Sequence, residues 1–288
     1  MKTVKAWIEA MRLRTLPVSL AGVIFALGIT VKADCFAWPQ ALLCLVFALL
    51  AQIASNFANE YYDYRDGLDL RGREGPRRGV TEGDITPRAM LIATFLTLGV
   101  ACAAGVMLVA LYGRWWMYVA GVVTALGVVA YSSGPWPLSR IGLGEVAVVV
   151  FFGVVPVTLT CMLMMPSVNM IIVSASLGVG LMGANVLIVN NYRDADDDTT
   201  VGKRTLAVRF GRRFVSRLYL INGFAAVILT FGLWLALPIA SWIVPIAYLV
   251  IHTLLYRALI TRQGRALNPL LGMTATLMLA YAVGYLIA

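Results

Sequence analysis

The chain has 288 residues, of which 60% are hydrophobic and 13% are charged, and its formal net charge is +9. Soluble domains usually contain about 25% charged residues, so this composition excludes a soluble globular protein and predicts a polytopic membrane protein. The positive charge follows the topology of the chain in the membrane, as described below, and does not indicate nucleic-acid binding.

Nine continuous apolar runs are candidates for membrane-spanning helices, each of which needs about 20 apolar residues. The runs are continuous rather than alternating, which excludes the sequence pattern of a membrane β-barrel. We therefore predict an all-α membrane protein, a single domain of residues 1–288 with about nine transmembrane helices. In chain order the runs cover 15–32, 38–59, 88–112, 115–133, 145–165, 168–190, 214–237, 240–260 and 267–288.

Lys and Arg are concentrated in alternate connections between these runs. If the N-terminus lies inside, all but Lys32 and Arg114 of the 23 Lys and Arg residues lie on the inner side. Cytoplasmic connections are those that carry an excess of Lys and Arg. We therefore expect a cytoplasmic N-terminus and, with nine spans, a C-terminus on the opposite side of the membrane.

Two of the inner connections are long and rich in carboxylates. The connection 59–88 begins with NEYYDYRDGLD and follows the second run, whereas 190–213 contains NYRDADDD and follows the sixth. This offset of four helices predicts two related four-helix halves plus one final helix. Repeated halves of membrane proteins commonly form a polar site at their shared interface.

The spacing within each cluster favours one shared direction for its polar side chains. Asn59 and Asp63 are four residues apart, and so are Asp194 and Asp198, a separation that places side chains on one face of a helix. Asp69 follows further along the first connection. We expect the two clusters to surround one site near the inner boundary of the membrane.

Carboxylates held close together repel one another unless a cation lies between them. Mg²⁺ is suited to this position, because it binds one or two carboxylates and takes further oxygens from substrate phosphates. Acids, phosphate-binding cations and an apolar helix interior together predict a lipid diphosphate as ligand. The alternative is that both acidic runs are merely solvated loops. The basic residues that accompany the acids are Arg71, Arg73, Arg77, Arg78, Lys203 and Arg204.

At these residues the chain resembles a known family. NEYYDYRDGLD and DADDD are similar to the two aspartate-rich motifs of the UbiA-type intramembrane prenyltransferases. Within that family the chain most resembles the members that prenylate 1,4-dihydroxy-2-naphthoate in menaquinone synthesis. The stretches that carry this likeness are MRLRTLPVSLAG, NFANEYYDYRDGLDLRGREGPRRG, IGLGEVAVVVFFGVVPV and NNYRDADDDTTVGKRTLAVRFG.

The resemblance implies a set of site residues. The implied catalytic residues are Asp63, Asp69, Asp194 and Asp198, which with Asn59 would also bind Mg²⁺. The stretch SSGPWPLSR lacks a lysine that some relatives place near the diphosphate, and Arg140 is a candidate substitute. The candidate substrate-binding residues are Asn59, Arg77, Arg78, Lys203 and Arg140. Arg14 is a candidate partner for the carboxylate of the acceptor, and the alternative is that it is a topology-setting charge at the first helix.

The activity that the resemblance implies is Mg²⁺-dependent transfer of a polyprenyl chain from polyprenyl diphosphate to 1,4-dihydroxy-2-naphthoate, with loss of CO₂. The implied location is the cytoplasmic (inner) membrane of a bacterium, with the active site at its cytoplasmic face. Prenyl transfer to another aromatic acceptor, such as 4-hydroxybenzoate, is the alternative within the family. A secondary transporter with acidic ion sites is the alternative outside it. The roles of Glu60, Asp66, Asp196 and Asp197, the length of the prenyl chain and the oligomeric state stay open.

Overall fold

The computed structural model describes residues 2–69, 72 and 74–288, and in these ranges the chain is all-helical and forms no β-strand. A π-helical turn, Val150–Val154, interrupts the helical segment Gly144–Met164, and the 3₁₀ turns Ile239–Trp242 and Gly264–Leu267 lead into the last two helices. In chain order the helices are α1 (Lys2–Ala10), α2 (Leu16–Lys32), α3 (Trp38–Arg65), α4 (Pro87–Tyr112), α5 (Met117–Ala130), α6 (Gly144–Val149), α7 (Val155–Met164), α8 (Met170–Thr200), α9 (Leu206–Phe210), α10 (Arg212–Trp234), α11 (Ile243–Thr261) and α12 (Asn268–Ile287).

Seven helical segments of the described chain are long and apolar enough to cross a membrane. The remaining two predicted runs form shorter apolar helices, α2 with 17 residues and α5 with 14. The all-α membrane architecture is thus confirmed, whereas a count of nine spans stays a prediction. The seven segments are Trp38–Arg65, Pro87–Tyr112, Gly144–Met164, Met170–Thr200, Arg212–Trp234, Ile239–Thr261 and Gly264–Ile287.

Both motif-bearing helices continue beyond their predicted ends. We expected the second run to end at 59 and the sixth at 190, but α3 reaches Arg65 and α8 reaches Thr200. Most of the acidic motifs therefore lie in the last turns of helices and not in the connections, which corrects the prediction. The helices can continue because their polar side chains face ion-pair partners inside the protein and not the lipid.

The helices are arranged around two cavities. The helix α2 contacts α3, α7, α8 and α12, so that the first apolar helix of the chain lies beside the last one. The helix α3 packs along α4, and α8 packs along α10. Each motif-bearing helix therefore packs against the long helix that follows it, an arrangement compatible with the predicted division into two halves.

Glycines allow three helical segments to approach one another at the backbone. A Cβ atom on Gly153, in the π-helical turn, would lie 2.4 Å from the Cα atom of Gly180 on α8, and a Cβ atom on Gly22 of α2 would lie 2.6 Å from the carbonyl oxygen of Phe152. Pro156 has no N–H to donate to that carbonyl, which lies four residues before it. The π-helical turn therefore forms where the regular hydrogen-bond ladder is interrupted and where side chains would keep the backbones apart.

The short helix α1 was not predicted from the sequence. Its residues Ala6 and Ala10 are buried in a small apolar cluster with Phe57 of α3, Val80 of the first inner connection and Met90 of α4. Through this cluster, α1 holds the first inner connection against the ends of α3 and α4.

Candidate active site

A polar cavity of about 150 Å³ lies between the C-terminal parts of α3 and α8. It also receives side chains from the α1–α2 connection and from both inner connections, so distant parts of the sequence meet here. Its charged and amide-bearing lining residues are Arg12, Gln52, Asn56, Asn59, Asp63, Arg78, Asn190, Asn191, Asp194, Asp198 and Lys203.

Lys203 joins the two acidic motifs. Its Nζ atom donates a hydrogen bond of 3.0 Å to Oδ2 of Asp63 and lies 3.9 Å from Oδ1 of Asp198. Asp63 is 1% exposed and Asp198 is 6% exposed, so both carboxylates are largely removed from solvent. The positive charge between them offsets the repulsion that two buried carboxylates would otherwise exert on each other.

Arg140 reaches the first motif from the connection between α5 and α6. It donates hydrogen bonds of 2.6 Å to Oδ2 of Asp66, 3.3 Å to Oδ1 of Asp63 and 2.8 Å to the carbonyl oxygen of Ser132. Hydrogen bonds from Arg65 and then from Arg140 hold the pKa of Asp66 below its ordinary value. Asp63 therefore contacts two cations, one from each side of the site.

Asn59 is held by two arginines on the wall of the cavity. Its Oδ1 atom accepts hydrogen bonds from Arg12 and, at 3.1 Å, from Nη2 of Arg78. Nε of Arg78 also lies 3.3 Å from Oδ2 of Asp69, in the loop that follows α3. Arg12 has a φ of 53°, a left-handed conformation that is uncommon outside glycine. This conformation belongs to the turn that directs the side chain of Arg12 to the cavity.

Glu60 and Asp197 contact the first inner connection. Oε1 of Glu60 accepts a hydrogen bond of 3.0 Å from the backbone N–H of Val80, and Oδ2 of Asp197 accepts one of 3.1 Å from the N–H of Glu74. Neither acid belongs to the lining of the polar cavity. These two acids hold the backbone of the connection against α3 and α8.

Asp194 lies beside a buried arginine. Nε and Nη2 of Arg193 donate to the two oxygens of Asp194 at 2.7 and 2.8 Å. The same guanidinium donates to Oδ1 of Asn190 at 2.8 Å and to Oδ1 of Asn268, on α12, at 2.9 Å. The carboxylate of Asp194 is thereby fixed in orientation, and the end of α8 is connected to α12.

The structure brings together most, but not all, of the residues named from the sequence. Asn59, Asp63, Arg78, Asp194, Asp198 and Lys203 line the polar cavity, Arg140 contacts Asp63, and Asp69 lies behind Arg78.

Two of the named arginines lie elsewhere. Arg14 is exposed, and Arg77 pairs with Asp84 and Glu9; neither belongs to the lining of the polar cavity. Arg71 and Arg73 lie outside the described residues.

Arg12 was not identified from the sequence as a site residue. The stretch RLRTLP contains two arginines two positions apart, and only the conformation of the turn distinguishes the one that reaches the cavity. The sequence therefore indicated Arg12 only as one of two neighbouring arginines, either of which could reach the cavity.

The donor groups are those that Mg²⁺ uses, namely Asp carboxylates and an Asn amide oxygen. Within the described part of the chain, no group of three or more His, Cys, Asp or Glu side chains is arranged as a metal site. The ammonium group of Lys203 instead stands between Asp63 and Asp198. The residues thus fit a divalent cation by their chemistry, at a position where the protein already provides a positive charge.

An apolar cavity of about 510 Å³ adjoins the polar one. It lies among α2, α3, α4, α5 and the α6–α7 segment, and five residues line both cavities: Gln52, Ser55, Tyr131, Val148 and Phe152. Together the two cavities suit an amphiphile with an ionic head and a long apolar tail.

The UbiA prenyltransferase family matches residues 16–286 of the chain. The chain is 36% identical over 283 residues to 1,4-dihydroxy-2-naphthoate octaprenyltransferase from Mycobacterium tuberculosis, with 96% of this chain and 94% of the relative covered. It is 35% identical to the protein of the same name from Haemophilus influenzae, with 75% and 72% covered.

A solved structure shares the fold. The UbiA homologue from Archaeoglobus fulgidus bound to GPP and Mg²⁺ is 18% identical, with a TM-score of 0.71 and coverage of 98% of this chain and 100% of that one. The fold shared with this homologue, the apolar helices of the chain and the extent of the family match agree with one another. The chain is an integral membrane protein and belongs to the UbiA prenyltransferase family.

Proposed function

We propose that this protein transfers a polyprenyl chain from polyprenyl diphosphate to 1,4-dihydroxy-2-naphthoate, with loss of CO₂, to give the prenylated 1,4-dihydroxynaphthalene (demethylmenaquinol) and diphosphate. Two relatives that cover most of the chain are named as octaprenyltransferases for this acceptor. The observation that carries the proposal is the meeting of Asp63 and Asp198 at Lys203, directly beside the apolar cavity.

The diphosphate would bind in the polar cavity and the prenyl chain in the apolar one. When bound, Mg²⁺ would neutralise the diphosphate and stabilise the negative charge that develops on it. A likeness in fold to a homologue bound to GPP and Mg²⁺ supports this requirement. The residues that we propose to hold Mg²⁺ are Asn59, Asp63, Asp69, Asp194 and Asp198.

The cations of the site would bind the oxygens of the leaving diphosphate. Lys203, Arg78 and Arg140 lie within hydrogen-bond or ion-pair distance of the motif carboxylates, and positive groups fixed in place stabilise a departing anion as its charge grows. At the junction of the cavities, Tyr131 and Phe152 present aromatic surface that can stabilise an allylic cation. The surrounding apolar walls exclude water that would otherwise capture this cation.

The acceptor would react at the ring carbon that bears its carboxylate. As the allylic C–O bond breaks, a C–C bond forms to this carbon, and the diphosphate takes the electron pair of the broken bond. Loss of CO₂ then returns an electron pair to the ring and restores its aromaticity. Arg12 lines the cavity and is therefore a better placed partner for the carboxylate of the acceptor than Arg14.

Substitution of the motif acids tests the proposal. Asp63→Ala and Asp198→Ala should each reduce prenyl transfer by at least about 1,000-fold, because each removes a carboxylate that we propose to hold the Mg²⁺ that neutralises the diphosphate. Asp196→Ala is the matched control, since Asp196 is exposed on the same helix and pairs with Arg212 outside the cavity. Purified protein would be incubated with Mg²⁺, a polyprenyl diphosphate and carboxyl-labelled dihydroxynaphthoate, with product mass and released CO₂ as readouts.

Parallel reactions with 4-hydroxybenzoate decide between acceptors. Release of labelled CO₂ together with a product of the expected mass supports dihydroxynaphthoate as acceptor. Product from 4-hydroxybenzoate alone would overturn this choice of acceptor. Normal turnover by both alanine variants would overturn the proposed site.

A further inference from the structure

Glu145 is a buried acid outside the two aspartate-rich motifs. It lies in the first turn of α6 and is 5% exposed. Its Oε1 atom accepts a hydrogen bond of 2.9 Å from Nδ2 of Asn191 on α8. Its Oε2 atom is enclosed and has no hydrogen-bond partner within the described part of the chain. A buried carboxylate with one satisfied oxygen is costly in an apolar segment, which favours a functional reason for its presence.

The carboxylate determines which way the amide of Asn191 faces. In the structure the NH₂ group of Asn191 donates to Oε1 of Glu145, and this hydrogen bond fixes the orientation of the amide. The carbonyl oxygen Oδ1 is then directed away from Glu145, and no hydrogen bond to this atom occurs among the described residues. Asn191 lines the polar cavity, whereas Glu145 does not. The pair therefore presents a hydrogen-bond acceptor to the cavity while the acid itself stays enclosed.

The position of Asn191 on α8 places it deeper than the metal-binding motif. Asn191, Asp194 and Asp198 are separated by three and four residues, so they share one face of the helix. Asn191 lies about 10 Å along the helix axis from Asp198, at 1.5 Å per residue. It is thus located between the proposed diphosphate site and the inner part of the cavity, where Val148 and Phe152 border the apolar cavity.

From this geometry we propose that Oδ1 of Asn191 accepts a hydrogen bond from a ring hydroxyl of the aromatic acceptor, and that Glu145 is the positioning residue that orients it. The inference rests on the proposed function, because it assigns a subsite to the acceptor of that reaction. Glu145 and Asn191 would then determine acceptor specificity, because the contact selects a ring that carries a hydroxyl group. A site with a fixed acceptor atom discriminates strongly against an analogue that lacks the matching hydroxyl.

Glu145→Gln tests the positioning role with little change in shape. A glutamine can donate as well as accept, so Asn191 is no longer held with its oxygen towards the cavity. We expect the KM for the acceptor to rise about 10-fold, as for the loss of one hydrogen bond to a buried group, while the KM for prenyl diphosphate changes less than about twofold. Equal effects on both constants, or no effect on either, would contradict the proposal.

Asn191→Leu tests the contact itself. The dissociation constants of 1,4-dihydroxy-2-naphthoate and of its two analogues lacking one ring hydroxyl would be measured without prenyl diphosphate. The wild-type protein should bind one analogue about 10-fold more weakly than the dihydroxy compound, and the leucine variant should lose this difference. Retention of the difference by the variant would overturn the contact. If the leucine variant does not fold, the dissociation constants of the same three ligands are measured with Glu145→Gln, which should also lose the difference.

Asn222→Leu is the matched control for removal of a buried amide. Asn222 on α10 donates to Oδ1 of Asn185 at 3.2 Å and does not line either cavity. This variant should keep the wild-type preference among the three ligands. If the wild-type protein uses another phenolic acceptor, the choice of dihydroxynaphthoate fails. The hydroxyl contact is then tested independently with that acceptor and its deoxy form.

Discussion

At the scale of single residues, Lys203 joins the two acidic motifs. Its ammonium group lies between Asp63 and Asp198, which are contributed by helices far apart in the sequence. The same carboxylates are proposed ligands of Mg²⁺, so ammonium and metal ion compete for them. If these carboxylates hold Mg²⁺ as proposed, the amine of Lys203 would be available to bind the oxygens of the diphosphate.

Replacement of Lys203 by methionine tests this competition. Without prenyl diphosphate, Lys203→Met should bind divalent cations about 10-fold more tightly, because the competing charge is absent and the carboxylates repel each other. Its affinity for prenyl diphosphate should fall about 10-fold, as expected for loss of one charge-assisted hydrogen bond. Both constants can be measured by the shift of thermal unfolding on titration with Mn²⁺ and with a prenyl diphosphate analogue.

Lys32→Met provides the control for the lysine substitution. Lys32 lies at the end of α2, and its Nζ atom donates to the carbonyl oxygen of Leu286, away from the residues that line the polar cavity. This variant should leave both affinities unchanged. A Lys203→Met protein with unchanged affinity for divalent cations would show that the ammonium group does not occupy the metal position.

The residues of the site were predictable to different degrees. The i,i+4 spacings Asn59–Asp63 and Asp194–Asp198 are visible in the sequence. The meeting of the two motifs was expected from their matching positions in two related halves. Arg12 could not be distinguished from Arg14, because a left-handed residue at the start of a turn leaves no clear sequence signal. Glu145 lies within a stretch that resembles the family, but the sequence does not single it out, because its proposed role depends on a contact with Asn191, 46 residues away.

At the scale of elements, the ends of the two motif-bearing helices show what hydropathy does not predict. An apolar run ends where the lipid-facing surface ends, but a helix ends where its hydrogen bonds do. The helices α3 and α8 keep their backbone ladders through the polar motifs, since ion pairs such as Asp63–Lys203 satisfy the side chains. The helix therefore extends into the polar cavity and fixes the directions of its acidic side chains.

The π-helical turn between α6 and α7 gives a prediction about packing. Gly153→Ala should lower the midpoint of thermal unfolding by several degrees, because the added methyl group would lie 2.4 Å from backbone atoms of α8. Overpacking of this kind costs about 1–3 kcal/mol. Unfolding of the detergent-purified protein can be followed by intrinsic tryptophan fluorescence.

Gly99→Ala is the control for the glycine substitution. Gly99 lies on α4, and a Cβ atom there meets nothing within 4 Å. Its replacement should leave the unfolding midpoint unchanged or raise it slightly, since alanine favours the helix. An equal response of the two variants would show that backbone approach at Gly153 does not limit stability.

At the scale of the whole molecule, composition was sufficient for the class of the protein but not for the arrangement of its helices. Continuous apolar runs predict helices in a membrane because the backbone must satisfy its own hydrogen bonds there. The contact of α2 with α12 joins opposite ends of the chain, and lipid is as apolar as the helix surfaces. Hydropathy therefore carries no information about which helices pair. Small residues such as Gly22 allow helices to pair closely, but the partner of each is visible only in the structure.

The distribution of Lys and Arg predicts the orientation of the whole protein. In cells producing cysteine-free protein with one added cysteine, Ser167→Cys, between α7 and α8, should react with a membrane-impermeant maleimide. Glu82→Cys, in the first inner connection, should react only after the membrane is opened. Both positions are exposed, so burial does not limit labelling. The reverse pattern would place the polar cavity on the external face of the membrane.

The direction of α3 and α8 also bears on which form of the proposed diphosphate substrate could bind. Many phosphate sites lie at helix N-termini, where the backbone dipole attracts anions. Here the motifs lie at C-terminal helix ends, whose partial negative charge adds to that of the carboxylates. In the proposed reaction, these helix ends and acids would oppose an uncomplexed diphosphate, and Arg12, Arg78 and Lys203, together with a metal ion, would offset that repulsion. The direction of two helices would thus make binding of the proposed diphosphate depend on added positive charge.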